Sequence, residues 1–238
     1  MSQIVQSAPA VHSWRRWAAR WHAVLAAIVA FALVAQLGLL VAGGADANSG
    51  VLDQTAPVGV RLVRFFSYFT VESNLLVLAA STTLAINPRR DGRWWRVLHL
   101  DALLGIVITG VVFELLLAKI VHLTGLPFVL NVCFHYISPW AVLLGWLLFG
   151  PRPRIGWTTV GWAFVWPVLW IGYTFAHGAA TGWYPYPFLN PENLGYHAAL
   201  INTGLVLVGA AALALGFKAL DRWLPIGRSE TAYGRGRP

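Results

Sequence analysis

The sequence predicts an all-α polytopic membrane protein, a bundle of six transmembrane helices with both termini in the cytoplasm. Three observations carry that prediction. The chain is 58% hydrophobic and only 11% charged, with a mean hydropathy of +0.63, which is more apolar material than a soluble domain can hide. Six windows are long and apolar enough to cross a hydrocarbon core about 30 Å thick, which takes about 20 helical residues each. The basic residues gather on alternate connections between those windows, as the positive-inside rule requires.

The first window, 21–43, follows Arg15, Arg16 and Arg20. "SWRRWAAR" ahead of an apolar run and "ADA" at 45–47 also has the look of a secretory leader. The run is longer than the roughly 7–15 residues of a leader's apolar region, so an uncut first helix is expected. The second window, 62–84, is followed by Arg89, Arg90, Arg93 and Arg96. The third and fourth are 98–120 and 127–149, the latter followed by Arg152 and Arg154. The fifth is 157–177. The sixth, 197–217, precedes Lys218, Arg222, Arg228, Arg235 and Arg237. Only Arg61, Arg64 and Lys119 are left for the opposite side. The net charge of +8 therefore encodes topology and calls for no nucleic-acid partner.

The chain divides into a cytoplasmic N-terminal segment (1–20), one membrane domain (21–217) and a basic cytoplasmic tail (218–238). Residues up to about 13 and the tail "GRSETAYGRGRP" lack apolar periodicity and are expected to be mobile. The outer connections 44–61 and 178–196 are the longest. The second, "GAATGWYPYPFLNPENLGY", is stiffened by prolines and rich in aromatics, and reads as a cap at headgroup level. Trp14, Trp17, Trp21, Trp94, Trp95, Trp157 and Trp183 fall near predicted interfaces and read as anchors. The single cysteine, Cys133, lies inside the fourth window, so there is no disulfide framework and no thiolate metal site, and the residue reads as a small buried apolar group.

Polar side chains inside the windows carry the functional information, because a polar group in hydrocarbon is costly unless it is paired. With a rise of 1.5 Å per residue, Thr70 and His135 each lie roughly 12 Å below the outer boundary and can share a plane. Glu114, Asn202 and His177 also fall in the outer half, whereas the inner half is almost wholly apolar apart from Asp101. An outward polar pocket under the aromatic cap is the simplest arrangement that keeps these groups off lipid. Thr70, Ser73, Asn74 and Val77 share one helix face, and Asn131, His135 and Ser138 share another, with Pro139 expected to kink the helix beside them. Glu72 points away from Thr70, toward a basic or polar group on a neighbouring span.

A hydroxyl and an imidazole at one depth suit a nucleophile and general-base pair. His135 would take the Thr70 proton, and Asn74 or Asn131 would donate to the oxyanion. The same residues would also serve as packing glue between helices. Glu114 would pair with Lys119 or a neighbouring histidine. No HxxxH spacing supports a metal centre, and no GxSxG, Walker or dinucleotide motif is present.

"YFTVESNLLV" (68–77), "HYISPWAVLLGWLLFGPR" (135–152) and "YPYPFLNPENLGY" (184–196), in that order, resemble the bacterial Pr6Pr family of integral membrane proteins over roughly residues 20–217. More distantly the pattern is similar to the androgen-induced membrane proteins, multi-pass threonine hydrolases that cleave fatty acid esters of hydroxy fatty acids. That resemblance implies Thr70 in "YFTVES" and His135 in "CFHYIS" as the catalytic pair. The eukaryotic pattern has an Asn at i+3 from the Thr. This chain has Ser73 at i+3 and Asn74 at i+4.

The expectation is a lipid-ester hydrolase in the cytoplasmic membrane, acting on membrane lipids or lipid esters. Thr70 and His135 are catalytic, and Ser73, Asn74, Glu114, Asn131, Asn202, Tyr184 and Tyr186 line the substrate pocket. No metal or organic cofactor is implied. The alternative is a transporter or a lipid- or small-molecule-binding protein, which predicts a polar route continuing to the cytoplasm.

Overall fold

The computed structural model of the protein describes residues 8–52 and 54–224. Residues 1–7 and 225–238, which include the first part of the N-terminal stretch and all of the tail 227–238 expected to be mobile, with Arg228, Arg235 and Arg237, lie outside the described residues. Among the described residues there are helices and turns and no strand, and six helical spans are long and apolar enough to cross a membrane. With an even number of spans, both ends of the bundle lie on one side.

The first span is helix α1, Ala8–Val41. It begins well before residue 21, so part of the expected aperiodic N-terminal segment is helical. Trp17 stays exposed as an interfacial anchor should. Trp21 instead turns inward and donates from Nε1 to the Ala141 carbonyl (3.0 Å).

The second window departs from the sequence reading. It is two helices, α2 (Val58–Ser67) and α3 (Phe69–Ile86), broken at Tyr68, whose φ of −72° and ψ of 127° are extended. Helix α2 leaves Val58, Val60, Val63 and Phe66 exposed while burying Phe65 and Ser67. This is the pattern of a short amphipathic helix, and only α3 is a spanning segment. The break places Thr70 in the first turn of α3 rather than in mid-helix.

The third span is α4 (Arg93–Val112), extended by a π-helical turn, Phe113–Leu117. The fourth is α5 (Gly125–Val132), a π-helical turn at Cys133–Ile137, and α6 (Ser138–Phe149). The expected distortion near Pro139 takes this form: Pro139 has no N–H for the carbonyl of His135 four residues back, and the turn before it widens. The fifth span is α7 (Trp157–Ala163) and α8 (Val165–Thr181), joined at Phe164. Pro167, which cannot donate to the Ala163 carbonyl, explains that joint in the same way.

The cap from Trp183 to Asn190 contains a short 3-10 turn, Pro187–Leu189, and leads into the sixth span, α9 (Pro191–Trp223). Asn190 starts α9 by accepting from the Glu192 N–H (2.9 Å), with Pro191 at the first helical position. Gly195, at φ 77° and ψ 153°, kinks the helix in a conformation that favours glycine. Because α9 runs to Trp223, the first residues of the expected tail continue the helix.

The core lies where α1, α3, α4 and the fourth span meet. The outer connection after α1 is stitched to this core. The buried Gln36 donates to the Ala45 carbonyl (3.1 Å) and accepts from the Ala47 N–H (3.2 Å), while Asn131 Nδ2 donates to the Ala47 carbonyl (2.6 Å).

Candidate active site

Three elements converge on Thr70: the first turn of α3, the π turn of the fourth span, and the cap. Thr70 Oγ1 lies 3.4 Å from His135 Nε2. His135 Nδ1 lies 3.1 Å from the Asn131 carbonyl oxygen, which can only accept, so Nδ1 carries a proton. Nε2 is then the lone-pair nitrogen, and the Thr70 hydroxyl donates to it. This is the order nucleophile, base, orienting acceptor, with a backbone carbonyl as the third member. A separation of 3.4 Å is long for a hydrogen bond and ordinary for a catalytic contact awaiting substrate. The Phe113 ring stacks on the imidazole, with centroids 4.0 Å apart, and fixes its plane. Thr70 and His135 are each only 2% exposed, so bulk water does not compete for the pair.

The third participant is Tyr186. Its hydroxyl oxygen accepts from the Thr70 N–H (3.1 Å) and lies 3.1 Å from Thr70 Oγ1. Since the Thr70 proton faces His135, the Tyr186 hydroxyl is the donor to Oγ1. Burial pushes the Tyr186 phenol up to about 12, which keeps that donor proton in place at any physiological pH. Packing against Tyr68, Trp170 and Phe188 holds the ring.

Thr70, His135 and Tyr186 open onto one largely apolar cavity. On the third span it is lined from Leu117 to Asp101, a length of about 24 Å at the helical rise. Its walls include Phe69, Trp166, Trp170 and Phe188. The shape and lining suit an extended acyl chain.

The other residues expected in the pocket are placed elsewhere. Asn74 is fully buried, and its amide donates to the carbonyls of Thr70 (2.9 Å) and Phe134 (3.5 Å) while its oxygen accepts from Ser138 (2.7 Å). Asn131 is committed to Ala47. The Asn74 amide is not free to serve an oxyanion, because two carbonyls take its N–H groups, and the Ala47 carbonyl takes one N–H of Asn131. Both instead brace the pair: Asn74 ties α3 to the π turn, and Asn131 supplies the carbonyl that orients His135. Ser73 is buried against Gly105, with its oxygen unpartnered. Glu114 accepts from the Tyr136 hydroxyl (2.7 Å) in a lateral groove between the third and fourth spans, and not from Lys119 or a histidine. Asn202 donates to the Phe188 carbonyl (2.9 Å) and fastens the cap to α9. Tyr184 packs over Gly178 and against Phe175. Glu72 accepts from Trp166 Nε1 (2.6 Å), a polar group on a neighbouring span.

Two contributors had little sequence signal. Phe113 reads as an ordinary apolar residue. Asp101, noted only as an inner polar group, lines the same cavity as Thr70.

Comparison of the chain with protein-family models, with curated proteins and with solved structures finds no match in any of the three. Fold and site together define a multi-pass α-helical membrane protein with a buried Thr–His–Tyr cluster opening onto an apolar slot.

Proposed function

We propose that this protein is an intramembrane lipid-ester hydrolase of the cytoplasmic membrane, with Thr70 as nucleophile and His135 as general base. The observation that carries the reading is the 3.4 Å contact from Thr70 Oγ1 to His135 Nε2 in the wall of a long apolar slot. The resemblance of "YFTVES" and "CFHYIS" to the threonine-hydrolase pattern, and of the three longer motifs to the Pr6Pr family, supports it.

In the proposed reaction His135 Nε2 takes the Thr70 hydroxyl proton as the oxygen attacks the ester carbonyl. Tyr186, bonded to Oγ1, is the donor beside the developing charge. The tetrahedral intermediate expels the alcohol, which takes the proton from His135 and leaves an acyl-threonine. Water deprotonated by the same nitrogen then cleaves that ester, releasing the fatty acid and restoring the Thr70 hydroxyl.

The transporter or binding-protein reading requires a polar route on to the basic side. The mainly apolar lining of the slot, which includes Leu104, Ala163, Phe164 and Ala210, favours the hydrolase reading.

The test is labelling of the purified protein in detergent by an alkyl fluorophosphonate, for wild type and for Thr70→Ala, Ser73→Ala and His135→Ala. Labelling that survives in Ser73→Ala and vanishes in the other two supports an activated threonine. Absence of labelling in folded wild type, or undiminished labelling of Thr70→Ala, overturns it.

A further inference from the structure

Eight residues lining the slot carry a polar group, and seven of them have hydrogen bonds. Thr70, His135 and Tyr186 bond to one another as described. Thr109 donates to the Gly105 carbonyl and Thr203 to the Ala199 carbonyl. The indole of Trp166 is taken by Glu72 and that of Trp170 by the Ser67 carbonyl. Asp101 alone has no hydrogen bond among the described residues, and its Oδ1 is sealed from solvent without a partner. The residue is 8% exposed. A carboxyl in such a place is costly to leave unbonded, and the cost recurs for as long as the slot is empty.

The position of Asp101 relative to the reacting oxygen follows from helix packing. A methyl group on Gly105 would meet Ser73 Oγ at 3.0 Å, so these two residues face each other at one level. Thr70 lies three residues from Ser73 toward the outer side, and Asp101 four residues from Gly105 toward the basic side. The axial separation of Thr70 and Asp101 is therefore about 10 Å. Gly105, Phe164 and Trp166 are in the lining, and the unpartnered Ser73 Oγ packs behind Gly105 and is not part of that lining.

We infer that Asp101 is a binding site for a hydroxyl carried partway along the substrate's acyl chain, about 10 Å from the scissile carbonyl by the helical rise. This rests on the hydrolase reading, in that the chain in the slot is the acyl arm of the ester. A hydroxyl meets the need of a buried carboxyl in either protonation state: it donates to a carboxylate and accepts from a carboxylic acid. An unsubstituted chain leaves Asp101 unbonded, and a site built to bond a hydroxyl discriminates against the ligand that lacks one.

Two measurements test this on the full chain in detergent. The first compares labelling rates of two alkyl fluorophosphonates that differ only in a hydroxyl at that distance, on wild type, Asp101→Asn and Asp101→Leu. Wild type should favour the hydroxylated probe about tenfold, the size of one hydrogen bond to a charged group. Asp101→Leu should bring the rates of the two probes to within twofold of each other, and Asp101→Asn should keep part of the preference. The second uses Thr70→Ala protein, which needs no chemistry. A brominated long-chain methyl ester quenching Trp166 and Trp170 is displaced by hydroxylated or plain methyl esters, with and without Asp101→Leu. A hydroxyl preference in displacement that Asp101→Leu abolishes sustains the site even if no probe labels wild type, in which case the hydrolase reading alone fails. Equal affinity for both esters, failure of either ester to displace the quencher, or a preference unchanged by Asp101→Leu overturns the inference.

Discussion

The hydroxyl of Tyr186 lies 3.1 Å from both the main-chain nitrogen and the side-chain oxygen of Thr70, so a single residue of the outer cap reaches the candidate nucleophile at two points. The contact depends on the break at Tyr68. In an unbroken helix the Thr70 N–H would bond to the carbonyl four residues back, whereas here it lies in a first turn and is open to an outside acceptor. Cap and break are therefore parts of one device, and the first two predictions concern it.

Tyr186→Phe keeps the ring among Tyr68, Trp170 and Phe188 and removes only the hydroxyl. Loss of a preorganised donor beside the developing charge should lower kcat by about a hundredfold, with little change in KM. The measurement is hydrolysis of a long-chain ester, or the rate of fluorophosphonate labelling, at matched folded fraction. A Phe variant with wild-type kcat would remove Tyr186 from the mechanism.

Burial also gives Tyr186 an effect on alkaline stability. Its phenol stands at about 12, against an ordinary value of 10. Between those values the folded protein holds a proton that the unfolded chain has released. The stabilisation is thus full below pH 10 and is lost as pH rises through 12. Thermal unfolding in detergent from pH 8 to pH 12 should show a steeper alkaline decline in wild type than in Tyr186→Phe. Tyr68, whose phenol is also pushed up, chiefly by burial and in smaller part by Tyr186, adds to the same difference between the two curves. Parallel curves would show that the Tyr186 proton is not held by the fold.

Much of this arrangement is legible in the sequence, for reasons that differ from residue to residue. The six spans follow from apolar length, whereas the rise count that put Thr70 level with His135 began at Leu62, in α2, which is not part of the span. Glu72 facing away from Thr70 follows from helical spacing. The break at Tyr68 leaves no trace, because "RFFSYFTV" contains neither glycine nor proline and is apolar on both sides of the joint. Its cause is tertiary, in the aromatic contacts of Tyr68 with Trp183 and Tyr186. The two asparagines were misjudged for a related reason. Spacing puts them on the correct face but cannot say that backbone carbonyls of Thr70, Phe134 and Ala47 would take their amides. Asp101 was visible as an inner polar residue, but its membership of the Thr70 cavity depends on how α7 and α9 close the slot.

Asn74 makes the brace that holds Thr70 against the π turn. Asn74→Leu leaves the Ser138 hydroxyl without its acceptor and the Phe134 carbonyl without its donor. The expected cost is about 1–3 kcal/mol of stability, as for other buried groups stripped of a partner. Activity should fall by more than unfolding explains, because the Thr70 to His135 distance is no longer fixed from both sides. Ser138→Ala removes one bond and strands only the Asn74 oxygen, so it should be milder on both counts. Equal effects from the two substitutions, in chemical denaturation and in turnover, would argue against Asn74 as the shared brace.

At Gly110 the third span packs tightly against the distorted fourth. A methyl group there would lie 3.1 Å from the His135 carbonyl oxygen and 3.0 Å from Pro139 Cγ, and neither is the free end of a flexible chain. Gly110→Ala should therefore push the π turn away from α4, at a cost of about 1–3 kcal/mol. The same displacement carries the imidazole off Thr70, and a shift of about 1 Å in a reacting group is worth about a hundredfold in rate. The expected result is a protein that still folds, with labelling at Thr70 reduced at least tenfold. A Gly110→Ala single variant with full activity would mean that the close approach of the two spans does not set the position of His135.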